Sequence, residues 1–213
     1  LLVKIKTKNA KTEKIHVLDL SPSAILGILT LTMLLAAGGG AQLFKSGKCP
    51  DPAVQYNFDP ARYLGKWFEI QKLPSAFQKG QCATSDYILQ SPRVVRVLNR
   101  ELLDDGTVRS AFGTVEVKDP AEPAKLEVTF SDVILLRGSY WLLSTDYDSY
   151  ALVYSCKSYG LFHVELAWIL SRQPTLPKDI TEYLLSILSS IGVSVDKMVS
   201  TIQDEAYCSP MYQ

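Results

Sequence analysis

The chain has 213 residues, 22 Lys+Arg against 22 Asp+Glu, and 47% hydrophobic residues, with 11 Tyr, 3 Trp and 4 Cys. This is one domain with extras, long enough to bury a core, and too rich in aromatic residues for a disordered or collagen-like chain. A formal charge of zero removes any general case for nucleic-acid binding.

The charge is unevenly placed. Residues 1–41 carry Lys4, Lys6, Lys8, Lys11 and Lys14 against Glu13 and Asp19, so they are net +3 and the remainder net −3. Residues 24–37 are apolar and uncharged, and Gly38-Gly39-Gly40-Ala41 follows. As a helix, the 14 residues of this run reach about 21 Å, short of the roughly 30 Å of a bilayer's hydrocarbon core. A basic segment, a short apolar segment and small residues read as a secretory signal cut before Gln42. The competing reading is a membrane anchor or a buried helix, against which stands the missing stop-transfer flank. The chain therefore divides into an N-terminal extension with signal, 1–41, and a domain, 42–213, expected to be secreted and extracellular.

All four cysteines, Cys49, Cys82, Cys156 and Cys208, lie in the second part. An even count in an exported chain points to disulfides, with three connectivities open. No CxxC pair occurs, and His163 is the single histidine after residue 41, so no metal or other cofactor is expected.

Between Lys66 and Leu170 short β-rich runs alternate with turn signals. The expected strands are 66–73, 82–90, 93–102, 107–117, 125–131, 139–145, 150–157 and 162–170, separated by turns such as Asp104-Asp105-Gly106 and Arg137-Gly138. Connections this short make neighbours antiparallel. Eight such strands favour an up-and-down β-barrel, since closure removes both exposed edges. In the last strand Phe162, Val164, Leu166, Trp168 and Leu170 share one face and His163, Glu165, Ala167 and Ile169 the other, so large apolar groups are assigned inward and charges outward. A barrel of this size is either filled by side chains or holds one small ligand. After the strands, Ile180, Leu184, Ile187, Leu188 and Ile191 form one stripe of a helix ending at Gly192, expected to dock on the outside of the barrel.

Gly65-Lys66-Trp67 at the head of the first strand, Thr145-Asp146-Tyr147 between the sixth and seventh, and Arg172 just after the eighth resemble, in order and separation, the three signatures of the lipocalin family. Further runs, including Asn57-Phe58-Asp59, Glu122–Val128 and Tyr150–Cys156, extend the similarity to a lipid-carrying subgroup over almost all of residues 42–210. The resemblance implies an all-β, eight-stranded antiparallel barrel with a C-terminal helix on its outside. The signature residues have structural work: Gly65 admits the chain without a clash, Trp67 plugs the closed end, and Arg172 lies over the indole as a cation–π partner.

The same resemblance implies a carrier of a small hydrophobic ligand, a steroid such as progesterone, a fatty acid such as arachidonate, or a bilin pigment. Matched residue by residue, Tyr87, Asn99 and Trp168 fall on cavity-lining positions, with Val97, Phe112 and Leu166 as apolar walls; the competing reading of Tyr87 and Trp168 is ordinary core packing. Leu103 stands where the subgroup has an arginine, which shifts the expectation toward neutral lipids. The family pattern pairs Cys49 with Cys156 and Cys82 with Cys208, each bridge contributing roughly 2–4 kcal/mol. Ser158 replaces an unpaired cysteine, and no Asn-x-Ser/Thr sequon occurs, so neither a covalent partner nor the subgroup's N-glycans are expected.

Val133, Ile134, Leu135 and Leu136 precede the sixth strand near the open end of such a barrel. They read either as a greasy tip that contacts a membrane or lipoprotein surface or as simple strand extensions. An enzyme, such as the thiolate isomerases of this family, is not expected, because each cysteine has a disulfide partner and His163 has no nucleophile beside it. A loop-mediated protein-binding or signalling role is the remaining alternative.

Overall fold

A computed structural model of the protein describes residues 4–5, 16–17, 44–91, 94–130 and 137–212. The chain divides into two units, 1–41 and 42–213. In the first, Lys4–Ile5 pairs antiparallel with His16–Val17. The apolar run expected to be a signal, residues 24–37, and the run Val133, Ile134, Leu135, Leu136 lie outside the described residues.

The second unit begins with a short strap, Phe44–Ser46, and a one-turn helix α1, Pro60–Tyr63. Asp59 starts this turn: its Oδ1 accepts the Ala61 N–H at 2.9 Å, and Pro60 supplies a preset helical φ at the first position. Eight strands follow: β1 Gly65–Lys72, β2 Gln81–Ser91, β3 Val94–Leu102, β4 Val108–Val117, β5 Lys125–Phe130, β6 Arg137–Thr145, β7 Tyr150–Ser158 and β8 Phe162–Ser171. Each expected strand is present, its ends displaced by no more than two residues. Successive strands pair antiparallel, and β1 pairs with β8 from Phe68↔Ser171 to Lys72↔Trp168, which closes the barrel. The strap extends the sheet beyond β8 and Val199–Ser200 lies against β1.

Helix α2, Lys178–Ser190, carries the expected stripe. Leu184 and Leu188 are fully buried and pack with Leu152, Tyr154 and Ile169 on the outer wall of β7 and β8. Gly192, at φ +84°, ends the helix; its N–H bonds to Ser189 O and the next, of Val193, to Leu188 O, each at 3.0 Å.

This covered wall also buries two polar residues. His163 and Glu165 do point away from the barrel interior, yet they are 6% and 2% exposed. Period 2 fixes which face a residue takes, and whether that face meets water depends on what packs over it. Here the strap does: Lys45 Nζ lies 2.6 Å from Glu165 Oε1 and donates to Gly192 O. Tyr154 donates its hydroxyl to Glu165 Oε2 at 3.2 Å, and His163 Nδ1 lies 3.1 Å from Gly47 O. The buried carboxylate is compensated by an ammonium and a phenol, as a buried charge must be.

Both disulfides take the pairing that the resemblance implies. Cys49–Cys156 fastens the N-terminal strap to β7, and Cys82–Cys208 fastens the C-terminal tail to β2. Ser158 also holds the strap, its Oγ accepting the Cys49 N–H at 3.0 Å.

Candidate functional site

The barrel encloses a cavity of about 380 Å³, within the usual range for small-molecule sites. One wall is the inward face of β8, with Val164, Leu166, Trp168 and Leu170 at alternate positions. The facing wall carries Tyr87 of β2, Val97 and Asn99 of β3, Ala111 of β4 and Val128 and Phe130 of β5. The mouth lies at the end of the loops 73–80 and 159–161.

The loop 73–80 is tied over this mouth by two buried carboxylates that the sequence reading did not single out. Trp168 Nε1 donates to Gln78 Oε1 at 3.0 Å, and Gln78 Nε2 donates to Glu69 Oε2. Glu69, 3% exposed, also pairs with Lys72 at 2.9 Å and accepts from Thr201 Oγ1 at 2.6 Å. On the other side Glu101 accepts the Gly80 N–H and pairs with Arg109, whose guanidinium donates to Phe77 O. Gly80 has to be glycine: a Cβ there would lie 2.6 Å from Leu102 O.

Within the cavity one amide is left open. Asn99 Oδ1 is buried with no hydrogen-bond partner, a state that costs roughly 1–3 kcal/mol unless a ligand supplies a donor. At the floor, three phenols meet: Tyr140 O–H lies 2.9 Å from the Tyr63 hydroxyl and 2.6 Å from that of Tyr87. Three hydroxyls share two contacts; the arrangement in which Tyr63 and Tyr87 both donate to Tyr140 leaves the Tyr140 O–H, on the cavity wall, for a ligand. Burial pushes the Tyr87 hydroxyl up to about 12 and raises Tyr63 and Tyr140 as well, so all three stay neutral donors at physiological pH.

Beyond the floor lies the closed end of the barrel. Trp67, fully buried, donates its indole N–H to Tyr63 O at 2.9 Å and stacks on the Tyr63 ring at 5.0 Å. The Arg172 guanidinium lies 3.8 Å from the indole centroid and donates to the carbonyls of Tyr147, Lys66 and Arg62. Asp146 Oδ1 accepts the N–H groups of Asp148, Ser149 and Tyr150, and Thr145 Oγ1 accepts that of Tyr147, so this turn is built by its own side chains. Gly65 takes φ +93°, where a Cβ would sit 3.4 Å from Arg172.

Residues 58–203 match the lipocalin-like domain family. The chain belongs to the lipocalins. Apolipoprotein D of Mus musculus is 45% identical over 188 residues, covering 85% of this chain and 98% of the relative. That of Bos taurus is 46% identical over 184 residues, covering 85% and 96%. Among solved structures, insecticyanin of Manduca sexta superposes with a TM-score of 0.70 at 28% identity, covering 79% of this chain and 93% of its own. Lobster apocrustacyanin A1 gives 0.69 at 20% identity over 80% and 97%, a likeness of fold.

Of the six wall residues expected for this lipocalin, Tyr87, Val97, Asn99, Leu166 and Trp168 line the cavity and Phe112 does not. Phe112 is 44% exposed, with the Arg96 guanidinium 5.7 Å from its ring. The β3–β4 register explains the difference. Asn99 pairs with Ala111 and Val97 with Gly113, facing inward, which leaves Leu98 and Phe112 on the outer face; a shift of one residue reverses the side on which a group lies. The phenyl on the wall is that of Phe130, seated over Gly113, where a Cβ would come within 2.9 Å of its ring. Phe162 likewise leaves the expected inward set: at 39% exposed it stacks on Tyr159 at the rim.

Tyr63, Gln78 and Tyr140 were missed. Tyr140 alone carried a readable signal, since Gly138, Tyr140 and Leu142 alternate on one face of β6. Tyr63 and Gln78 lie outside the barrel strands, where no periodicity applies.

Proposed function

We propose that this lipocalin is a secreted, non-covalent carrier of a small, neutral, mostly apolar lipid held in the barrel. The observation that carries the reading is the open Asn99 amide in a cavity walled by Trp168, Leu166, Val128 and Phe130, beside a floor of neutral phenols. A steroid-like ligand matches it: apolar faces against Trp168 and Leu166, and one polar end for Asn99 or the phenols. Of the cations that line the wall, Arg109 is held by Glu101 and Arg137 by Glu127, so a fatty-acid carboxylate would have to reach Arg100 or Lys157. Two disulfides and the signal-like residues 1–41 support an extracellular setting. All four cysteines are bridged, which leaves no thiol for isomerase chemistry of the thiolate kind.

Titration with progesterone and arachidonate tests this. Progesterone is expected to bind the tighter, and Trp168→Ala to weaken it by roughly ten- to a hundredfold, the value of a lost aromatic wall of about 1.5–3 kcal/mol. Equal affinity at unchanged fold would remove Trp168 from the site.

A second feature supports a contact with lipid surfaces at the mouth. Leu161 is 90% exposed and Phe44 64%, with Phe44, Phe162 and Tyr159 in ring contact beside it. An apolar rim of this kind calls for a covering surface, and the apolar run Val133–Leu136 lies in sequence between β5 and β6. On phosphatidylcholine vesicles, Leu161→Asp and the pair Leu135→Asp and Leu136→Asp are each expected to weaken binding about tenfold or more; unchanged binding argues for a purely aqueous rim.

A further inference from the structure

The molecule holds a second cavity, of about 250 Å³, on the far side of the tyrosine floor. Its walls are Phe58, Tyr63, Tyr87, Val95, Val115 and Leu126, and it opens to solvent beside Leu89, which is 54% exposed. Tyr87 belongs to both cavities, its ring forming the partition and its hydroxyl fixed to Tyr140 on the calyx side.

The chemistry of the two chambers differs. The calyx has an open amide, whereas in the lower chamber the polar groups already have partners. The Tyr63 and Tyr87 hydroxyls are both taken by Tyr140. Asp59 Oδ1 accepts from Ala61 N, and the Asp59 N–H donates to the Tyr147 hydroxyl at 3.0 Å. A water here would find few of the two to four partners that buried water requires. Apolar cavities of only about 150 Å³ stay dry and take up benzene or xenon.

We propose that the lower chamber is a second binding site, independent of the calyx, for a compact uncharged apolar molecule about the size of a single substituted aromatic ring. Such a guest restores the dispersion contacts that Val115, Leu126 and Phe58 lack and needs no hydrogen bond. It enters from the closed end beside Leu89, so a bound lipid in the calyx does not block it. An anionic guest finds no cation on the chamber wall, and a cationic one only the exposed Asp59 carboxylate, which already accepts the Ala61 N–H.

Toluene is the probe, followed by NMR on the full chain, both free and saturated with progesterone. Contacts from toluene to the methyl groups of Val95, Val115 and Leu126 are expected in both states. Val115→Phe, which fills the chamber, is expected to weaken toluene about tenfold while progesterone affinity stays within about twofold. Should Val115→Phe fail to fold, Val117→Leu, at a further residue of the chamber wall, provides the second filling variant, read by the same contacts. Toluene contacts confined to Val164 and Leu166, loss of toluene on adding progesterone, or no contacts at all would overturn the proposal. Because the chamber is read in the free protein too, its failure and a failure of the calyx to bind progesterone are distinguishable.

Discussion

Replacing Trp67 by alanine is expected to lower the stability of this lipocalin by about 4 kcal/mol, the middle of the range for a buried aromatic. The side chain is fully buried, and three separate contacts depend on it: the indole hydrogen bond to Tyr63 O, the stack on the Tyr63 ring and the Arg172 guanidinium on its other face. Truncation leaves a cavity that the closed strands on either side resist filling. It also strips one face from a half-buried cation. Arg172→Ala loses three hydrogen bonds to carbonyls and is expected to cost about 2–3 kcal/mol. The two residues touch, so their effects should not add. A double-mutant cycle in urea is expected to return a coupling of about 1–2 kcal/mol. A Trp67→Ala loss below about 1.5 kcal/mol, or strict additivity with Arg172→Ala, would mean that the plug is not what closes the barrel. Progesterone affinity is a useful companion measurement, since Trp67 does not line the calyx and should affect binding only through the floor.

Above pH 10 the tyrosine floor becomes a liability. An unfolded tyrosine ionises near 10, whereas burial holds Tyr87 at about 12 in the folded protein. Below pH 10 both states keep the proton, and Tyr87 makes no pH-dependent difference. Between 10 and 12 the unfolded chain releases the proton while the folded chain retains it, so rising pH favours unfolding. Two pH units correspond to about 3 kcal/mol from Tyr87 alone. Tyr63 and Tyr140 are raised in the same direction by the same cause, burial, and add to the loss. Because the three hydroxyls are in contact, they are expected to release protons as a coupled set and not at three separate midpoints. Urea unfolding at a series of pH values, with tyrosinate absorbance recorded on the folded protein, checks both statements. Tyr87→Phe is expected to be modestly less stable at pH 8, having lost one hydrogen bond worth about 1 kcal/mol, and to fall less steeply above pH 10. A stability that stays level to pH 12, or a folded protein in which all 11 tyrosines ionise together near 10, would show that the floor is open to water.

The residues differ in how readable they were. Trp168 and Leu166 followed from alternation in a strand whose other face carries His163 and Glu165, so that the inward set was unambiguous apart from Phe162 at its end. Phe112 was misplaced because Ala111 and Gly113, the residues that do face inward, are small and carry little hydrophobic signal. The large group that dominates the pattern locally is the one outside. Glu165 and His163 illustrate a second limit: their outward direction was legible, but their burial comes from Lys45 and Gly47, more than a hundred residues earlier. Gln78 could not be anticipated at all, since its role is set by where the loop 73–80 crosses the mouth.

The sequence by itself determined the number of strands, their order and ends, the antiparallel turns between them, the stripe of the outer helix and, through its signatures, the family. These are local properties, fixed by period, turn chemistry and a few spacings within reach of one another. The tertiary structure alone decided that the interior is partly empty, that it is divided into two chambers, and that a carboxylate on the outer wall is sealed beneath the strap. The physical reason is that a void is what remains when side-chain volumes from eight strands are summed within one closed wall. No single strand carries that sum.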